Sequence, residues 1–211
     1  MVMQIVYGVF ILLLVSFGAV VMSLEILSSN LMSPYFGGSI YIWGSIISSF
    51  MVHFSVGYVL GGHLSQSRPR ISVLAAFLVA ASLWVLMIPA MYKPVCEFIS
   101  NRIVDVRLGS LIAMNVIFFV PVSIMAMVSP YLIGIITAWR RQSGFTAGMV
   151  LFISTVGSFA GTNATAFYLI GLFPVSRIVV GLGIICLCVS LITLALRVDR
   201  RIRIPNANDR A

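Results

Sequence analysis

The chain is a succession of long apolar runs broken by short polar or turn-forming stretches. Read in order, the runs predict six helical spans, with ends uncertain by a few residues. They cover about Ile5–Leu27, Ser39–Gly62, Ile71–Met91, Leu108–Met127 (continuing past Pro130 to Ala138), Thr146–Ile170 and Ser176–Leu196. Each is long enough to cross the ~30 Å of bilayer hydrocarbon, which takes about 20 helical residues. The pattern therefore predicts an all-α polytopic membrane domain over residues 1–196 and a basic tail over residues 197–211. The first run has no basic residues before it, is longer than a signal-peptide core and lacks a small-residue cleavage site. It is expected to stay as the first span.

Composition agrees with this pattern and changes little. The 211 residues are 61% hydrophobic and 9% charged, with a net charge of +8. Mean hydropathy is +1.13. The basic residues lie between and after the runs, which encodes topology and not nucleic-acid binding. Arg68, Arg70, Arg140, Arg141, Arg197, Arg200, Arg201, Arg203 and Arg210 fall on one side of the six-span map. Lys93, Arg102, Arg107 and Arg177 fall on the other, diluted by Glu97 and Asp105. The positive-inside rule then places both termini in the cytoplasm, with a bacterial inner membrane as the expected site. Between spans three and four, Val95, Phe98, Ile99, Ile103 and Val106 recur at helical spacing. A short amphipathic interfacial helix fits, and so does a plain solvated connection.

No motif for catalysis or cofactor binding stands out. Cys186 and Cys188 are two apart on one helix, so they point in opposing directions and cannot chelate one metal. Cys96 stands alone. No zinc spacing, Ser-His-Asp candidate set, phosphate loop or haem motif is present, so neither a metal nor another cofactor is expected.

Small residues at four-residue spacing, Gly57 with Gly61 and Gly157 with Gly161, predict close helix packing. The triplet Ser33-Pro34-Tyr35 follows span one, and Ser129-Pro130-Tyr131 lies within span four. On the six-span map they fall on opposite faces of the membrane. That arrangement is compatible with an inverted 3+3 repeat, as in half of a major-facilitator fold.

The segment Ser23–Pro69 carries SPYFG (Ser33–Gly37), YIWGS (Tyr41–Ser45) and GYVLGGHLSQSRP (Gly57–Pro69). With VSPYLI (Val128–Ile133) and STVGSFAGT (Ser154–Thr162), it resembles the membrane domain of the spermidine-synthase-like membrane proteins. The resemblance implies a major-facilitator-like bundle that is normally followed by a soluble aminopropyltransferase-type domain. Two departures stand out. The family pattern G-G-R-L-A-D reads GGHLSQ here, with His63 for Arg and Gln66 for Asp, which weakens the charged latch of that loop. No synthase-like catalytic segment follows Leu196, so this chain is not expected to be an enzyme by itself.

Several polar groups inside the runs need an account. Glu25, followed by Ser28, Ser29 and Asn30, lies near the far end of span one. An ionised carboxylate in hydrocarbon costs at least ~2–3 kcal/mol, so it faces the bundle, finds a partner or takes a proton. A proton or cation site in a central cavity is one reading, and an acid at interface depth bonded to backbone or hydroxyls is the other. His53, in mid-span two, reads as a proton relay or ligand, or as a packing histidine bonded to a neighbour. Asn115, Thr162 and Asn163 read as helix ties or as cavity groups. Tyr35, Tyr41 and Trp43 suit an interfacial aromatic belt, with a lining role for Tyr35 and Trp43 as the alternative.

The expectation is a non-catalytic membrane subunit, in contact with lipid and with another protein subunit, that anchors or feeds a soluble synthase-like partner. A half-facilitator transporter acting as a homodimer, or a scaffold in a larger membrane complex, is the alternative.

Overall fold

The computed structural model describes residues 2–140 and 143–196. Arg141 and the basic tail 197–211 lie outside the described residues. The elements are α1 (Val2–Phe36), α2 (Ile40–Ser67), α3 (Ile71–Ser100), α4 (Val106–Ala126), α5 (Val128–Arg140) and α6 (Ser143–Ala164). A π-helical turn (Thr165–Leu169), α7 (Ile170–Leu172) and α8 (Val175–Ala195) follow. Among the described residues, six continuous stretches are long and apolar enough to cross a membrane: α1, α2, α3, α4 with α5, α6 through α7, and α8. The protein is thus an all-α, multi-pass membrane bundle, as the run pattern predicts.

The first three helices run past their expected ends. The first does not stop before Ser33-Pro34 but continues through them to Phe36. It ends at Gly37, whose φ of +84° suits a residue without a Cβ. The third passes through Pro89 and Pro94 to Ser100, so residues 92–100 extend span three and do not form a separate interfacial helix. A proline removes one backbone hydrogen bond, and packed membrane helices tolerate that loss. Cys96 and Ile99, on the far side of Pro94, are buried and hold the extension in place. The fourth is interrupted at Met127, where α4 ends and α5 begins.

Packing joins spans that are distant in sequence. Helix α1 lies chiefly against α6, α2 against α4 and α5, and α3 against α8 and α4. Phe17, Phe50, Phe118 and Tyr131 are fully buried between them. The indole N–H of Trp84 donates to the Ile117 carbonyl at 3.0 Å and ties α3 to α4. Leu86 of α3 fills the space over Gly183 of α8. Lipid gives no hydrophobic drive between helices, so such close van der Waals packing and interhelical hydrogen bonds hold the bundle.

Candidate functional site

One face of α2 shows a six-residue ladder with a strict four-residue step: Ser45, Ser49, His53, Gly57, Gly61 and Ser65, all buried. A four-residue step keeps side chains in one slowly drifting row on a helix. The row lies along α4 and α5, which run parallel to α2. Ser110 Oγ donates to Ser45 Oγ at 2.9 Å. A Cβ on Gly57 would strike the Ser123 carbonyl, one on Gly61 would come within 2.6 Å of the Met127 carbonyl, and one on Gly134 would strike Ser65. The sequence singles out Gly57 and Gly61 of this row for packing and His53 separately, but not its serines.

His53 occupies the middle of the ladder and is fully buried. Its Nε2 lies 3.1 Å from Asn115 Oδ1. The Asn115 amide Nδ2 donates to the Leu111 carbonyl at 2.8 Å and to Ser49 Oγ at 3.3 Å. Those two bonds fix the amide orientation, so Oδ1 accepts and His53 Nε2 donates. The ring packs against Phe50, at 5.7 Å between centroids, and edge-on to Phe119 at 5.3 Å. Nδ1 is buried without a hydrogen-bond partner among the described residues. The bond to Asn115 is the neighbour contact that the packing reading of His53 calls for. Asn115 is a helix tie.

A second seam joins α1 and α6. The Cβ positions of Gly157 and Gly161 run into the carbonyls of Val15 and Ala19. Ser158 Oγ donates to the Gly18 carbonyl at 3.2 Å. Thr165 Oγ1 lies 2.8 Å from Ser23 Oγ, which bonds the Ala19 carbonyl at 2.8 Å. Both glycine pairs predicted from sequence therefore sit where two helix backbones meet.

Between the two seams lies a half-open cleft of about 90 Å³. Gly18 and Met22 of α1, Phe54 and Tyr58 of α2, Ser129 of α5 and Ser154 of α6 are among its walls. Phe54 and Tyr58 stack at 6.2 Å with 14° between their planes. The space is wide enough for water or a small solute. Glu25 lies seven residues after Gly18, three to four after Val21 and Met22, and so on the same face of α1 one turn beyond the cleft wall. The residue is half-buried, and its carboxyl makes no ion pair or hydrogen bond among the described residues.

The other candidates are not gathered at this cleft. Asn30 is exposed and Tyr35 half-buried near the end of α1. Trp43 is 40% exposed on the outer side of α2. The Asn163 amide donates to the Phe159 carbonyl of its own helix at 2.7 Å. Among the described residues no three His, Cys, Asp or Glu side chains come together in a way that could hold a metal ion.

At the far end of α2, Tyr131 makes a tie with no marker in the sequence beyond its triplet. Its buried phenol oxygen accepts the Arg70 N–H at 2.9 Å. Its hydroxyl proton is shared between the Arg68 carbonyl at 2.6 Å and the Arg70 carbonyl at 2.7 Å. The short connection 68–70 is thereby fastened to α5, with Arg68 and Arg70 exposed. No family model, curated protein or solved structure matches the chain.

Proposed function

We propose that the chain is a non-catalytic integral membrane subunit that anchors, or delivers substrate to, a separately produced soluble synthase-like partner. The observation that carries this reading is the Tyr131 tie, which presents Arg68 and Arg70 on a fixed connection at one end of the bundle. A loop ordered in advance loses less entropy when a partner docks, and a paired basic surface favours an acidic one. The resemblance of Ser23–Pro69 to the spermidine-synthase-like membrane proteins supplies the kind of partner. In this reading the arginine-bearing end and both termini face the cytoplasm of a bacterial inner membrane. Co-expression with a soluble aminopropyltransferase-type domain, followed by capture in mild detergent, tests it. A stoichiometric complex that weakens with Arg68→Glu and Arg70→Glu is expected. Absence of any complex contradicts the proposal.

A second reading, a half-facilitator transporter working as a dimer, has its own support. Exchanging spans one, two and three for four, five and six turns the α1–α6 pair into the pair of α4 and α5 with α2, and returns the α3–α8 pair to itself. The glycine pairs obey the same exchange: Gly57 and Gly61 rest on Ser123 and Met127, and Gly157 and Gly161 on Val15 and Ala19. This exchange of contacts supports an inverted 3+3 repeat. The open carboxyl of Glu25 beyond the cleft supplies a site for a proton or cation. Uptake into vesicles containing the purified chain, measured for wild type and Glu25→Gln, tests this reading. A strictly monomeric chain in gentle detergent contradicts it.

A further inference from the structure

The π-helical turn Thr165–Leu169 widens the helix, and α7 then stops at Phe173, whose backbone is extended. Pro174 prevents continuation and starts α8. The result is a groove of about 400 Å³ between this turn and α8. Leu169 and Phe173 form one side, and Ile178, Gly181 and Ile185 form its floor along α8. Gly181 deepens it, because a Cβ there would meet nothing within 4 Å. From Arg177 at one end to Ile185 at the other, eight residues at 1.5 Å each give a length of about 12 Å.

Among the described residues, Arg177 is the one cation lining this apolar groove, and its side chain is exposed. Two other cations on the same side of the six-span map are occupied by rings. Arg107 lies 4.1 Å from the Tyr41 ring centroid and Arg102 lies 4.4 Å from that of Phe98. The Arg177 guanidinium makes no hydrogen bond, ion pair or ring contact among the described residues. A charged group at one end of an aliphatic channel on a lipid-facing surface matches the two halves of an anionic amphiphile.

We propose that this groove binds one anionic phospholipid, with an acyl chain along Leu169, Phe173, Gly181 and Ile185 and the phosphate at Arg177. The chain half supplies retention and the arginine supplies headgroup choice. One interfacial arginine corresponds to about a five-fold preference for an anionic over a zwitterionic headgroup. The site stands apart from the cleft and from the Tyr131 tie, so it is independent of both functional readings.

The test uses the full chain reconstituted in vesicles of equal phosphatidylglycerol and phosphatidylcholine. The protein is extracted gently, and the lipid retained per chain is counted by native mass measurement. Wild type is expected to retain phosphatidylglycerol about five-fold over phosphatidylcholine. Arg177→Gln keeps a bound lipid but loses the preference. Gly181→Leu fills the groove and loses the lipid. Gly8→Leu, also at a glycine with open space around its Cβ, retains it. Equal retention of the two lipids by wild type overturns the proposal. So does an undiminished preference in Arg177→Gln, or loss in Gly8→Leu equal to that in Gly181→Leu. Arg177 is exposed, so the Arg177→Gln arm decides the matter even if Gly181→Leu does not fold.

Discussion

The hydroxyl of Tyr131 lies 2.6 Å from the carbonyl oxygen of Arg68, 63 residues away in sequence. With the two bonds to Arg70, one buried phenol reaches three backbone groups of a three-residue connection, in addition to that connection's own turn bonds. Removing only the hydroxyl leaves the turn its own backbone bonds but cuts its tie to α5. Tyr131→Phe is expected to cost about 1–2 kcal/mol of stability. It should also speed tryptic cleavage after Arg70. Thermal unfolding in detergent and a digestion time course check both effects; unchanged cleavage would mean that the tie does not order the loop.

The His53–Asn115 pair is a hydrogen bond between parallel helices, and its worth is measurable by a double-mutant cycle. Interhelical polar contacts in membranes average about 0.6 kcal/mol and reach about 1.7. Asn115→Leu leaves the buried His53 Nε2–H without its acceptor and is expected to fall at or above the upper end. The double variant His53→Phe with Asn115→Leu removes both partners, so it should be more stable than Asn115→Leu alone. Additive losses in unfolding measurements would show that the two side chains do not interact.

The glycine seams give a contrast that composition alone does not. Gly57→Ala and Gly161→Ala place a methyl group against the Ser123 and Ala19 carbonyls, where backbone must move apart. Overpacking of this kind costs about 1–3 kcal/mol. Gly44→Ala and Gly62→Ala meet nothing within 4 Å and should be neutral or slightly stabilising. A comparison of melting temperatures among the four variants separates them; equal effects would mean that α2 does not pack through this row.

Glu25 distinguishes the two functional readings. If the cleft conducts a proton or cation, Glu25→Gln abolishes uptake while leaving the fold intact, because the carboxyl has no protein partner to lose among the described residues. If the chain is an anchor for a soluble partner, the same variant still captures that partner at wild-type level. Uptake and capture are measured on one preparation.

The run pattern carried most of the fold, for a physical reason: a span must be long and apolar to satisfy its backbone in lipid. Gly57, Gly61, Gly157 and Gly161 were legible for a similar reason, since only small residues allow backbones to meet. The helix ends were not. The run pattern ends spans one and three at about Leu27 and Met91, yet the helices run on through Pro34 and Pro94, where neighbouring helices support the chain. The partner of His53 is 62 residues away and depends on the register between α2 and α4, which no local pattern encodes. The full ladder from Ser45 to Ser65 was present as a period of four, but its serines look like ordinary polar residues until their partners are seen.

Six crossings with alternating ends underlie the whole account, and cysteine accessibility in intact cells tests them most directly. The background is made free of reactive thiol by replacing Cys96, Cys186 and Cys188. Ser67→Cys, beside the Tyr131-fastened loop, and Asn101→Cys, beyond α3, are then exposed in turn to a membrane-impermeant maleimide. The expected result is labelling of Asn101→Cys in intact cells and of Ser67→Cys only after lysis. Labelling of both positions from the outside would contradict the arrangement of the spans and the functional readings that rest on it.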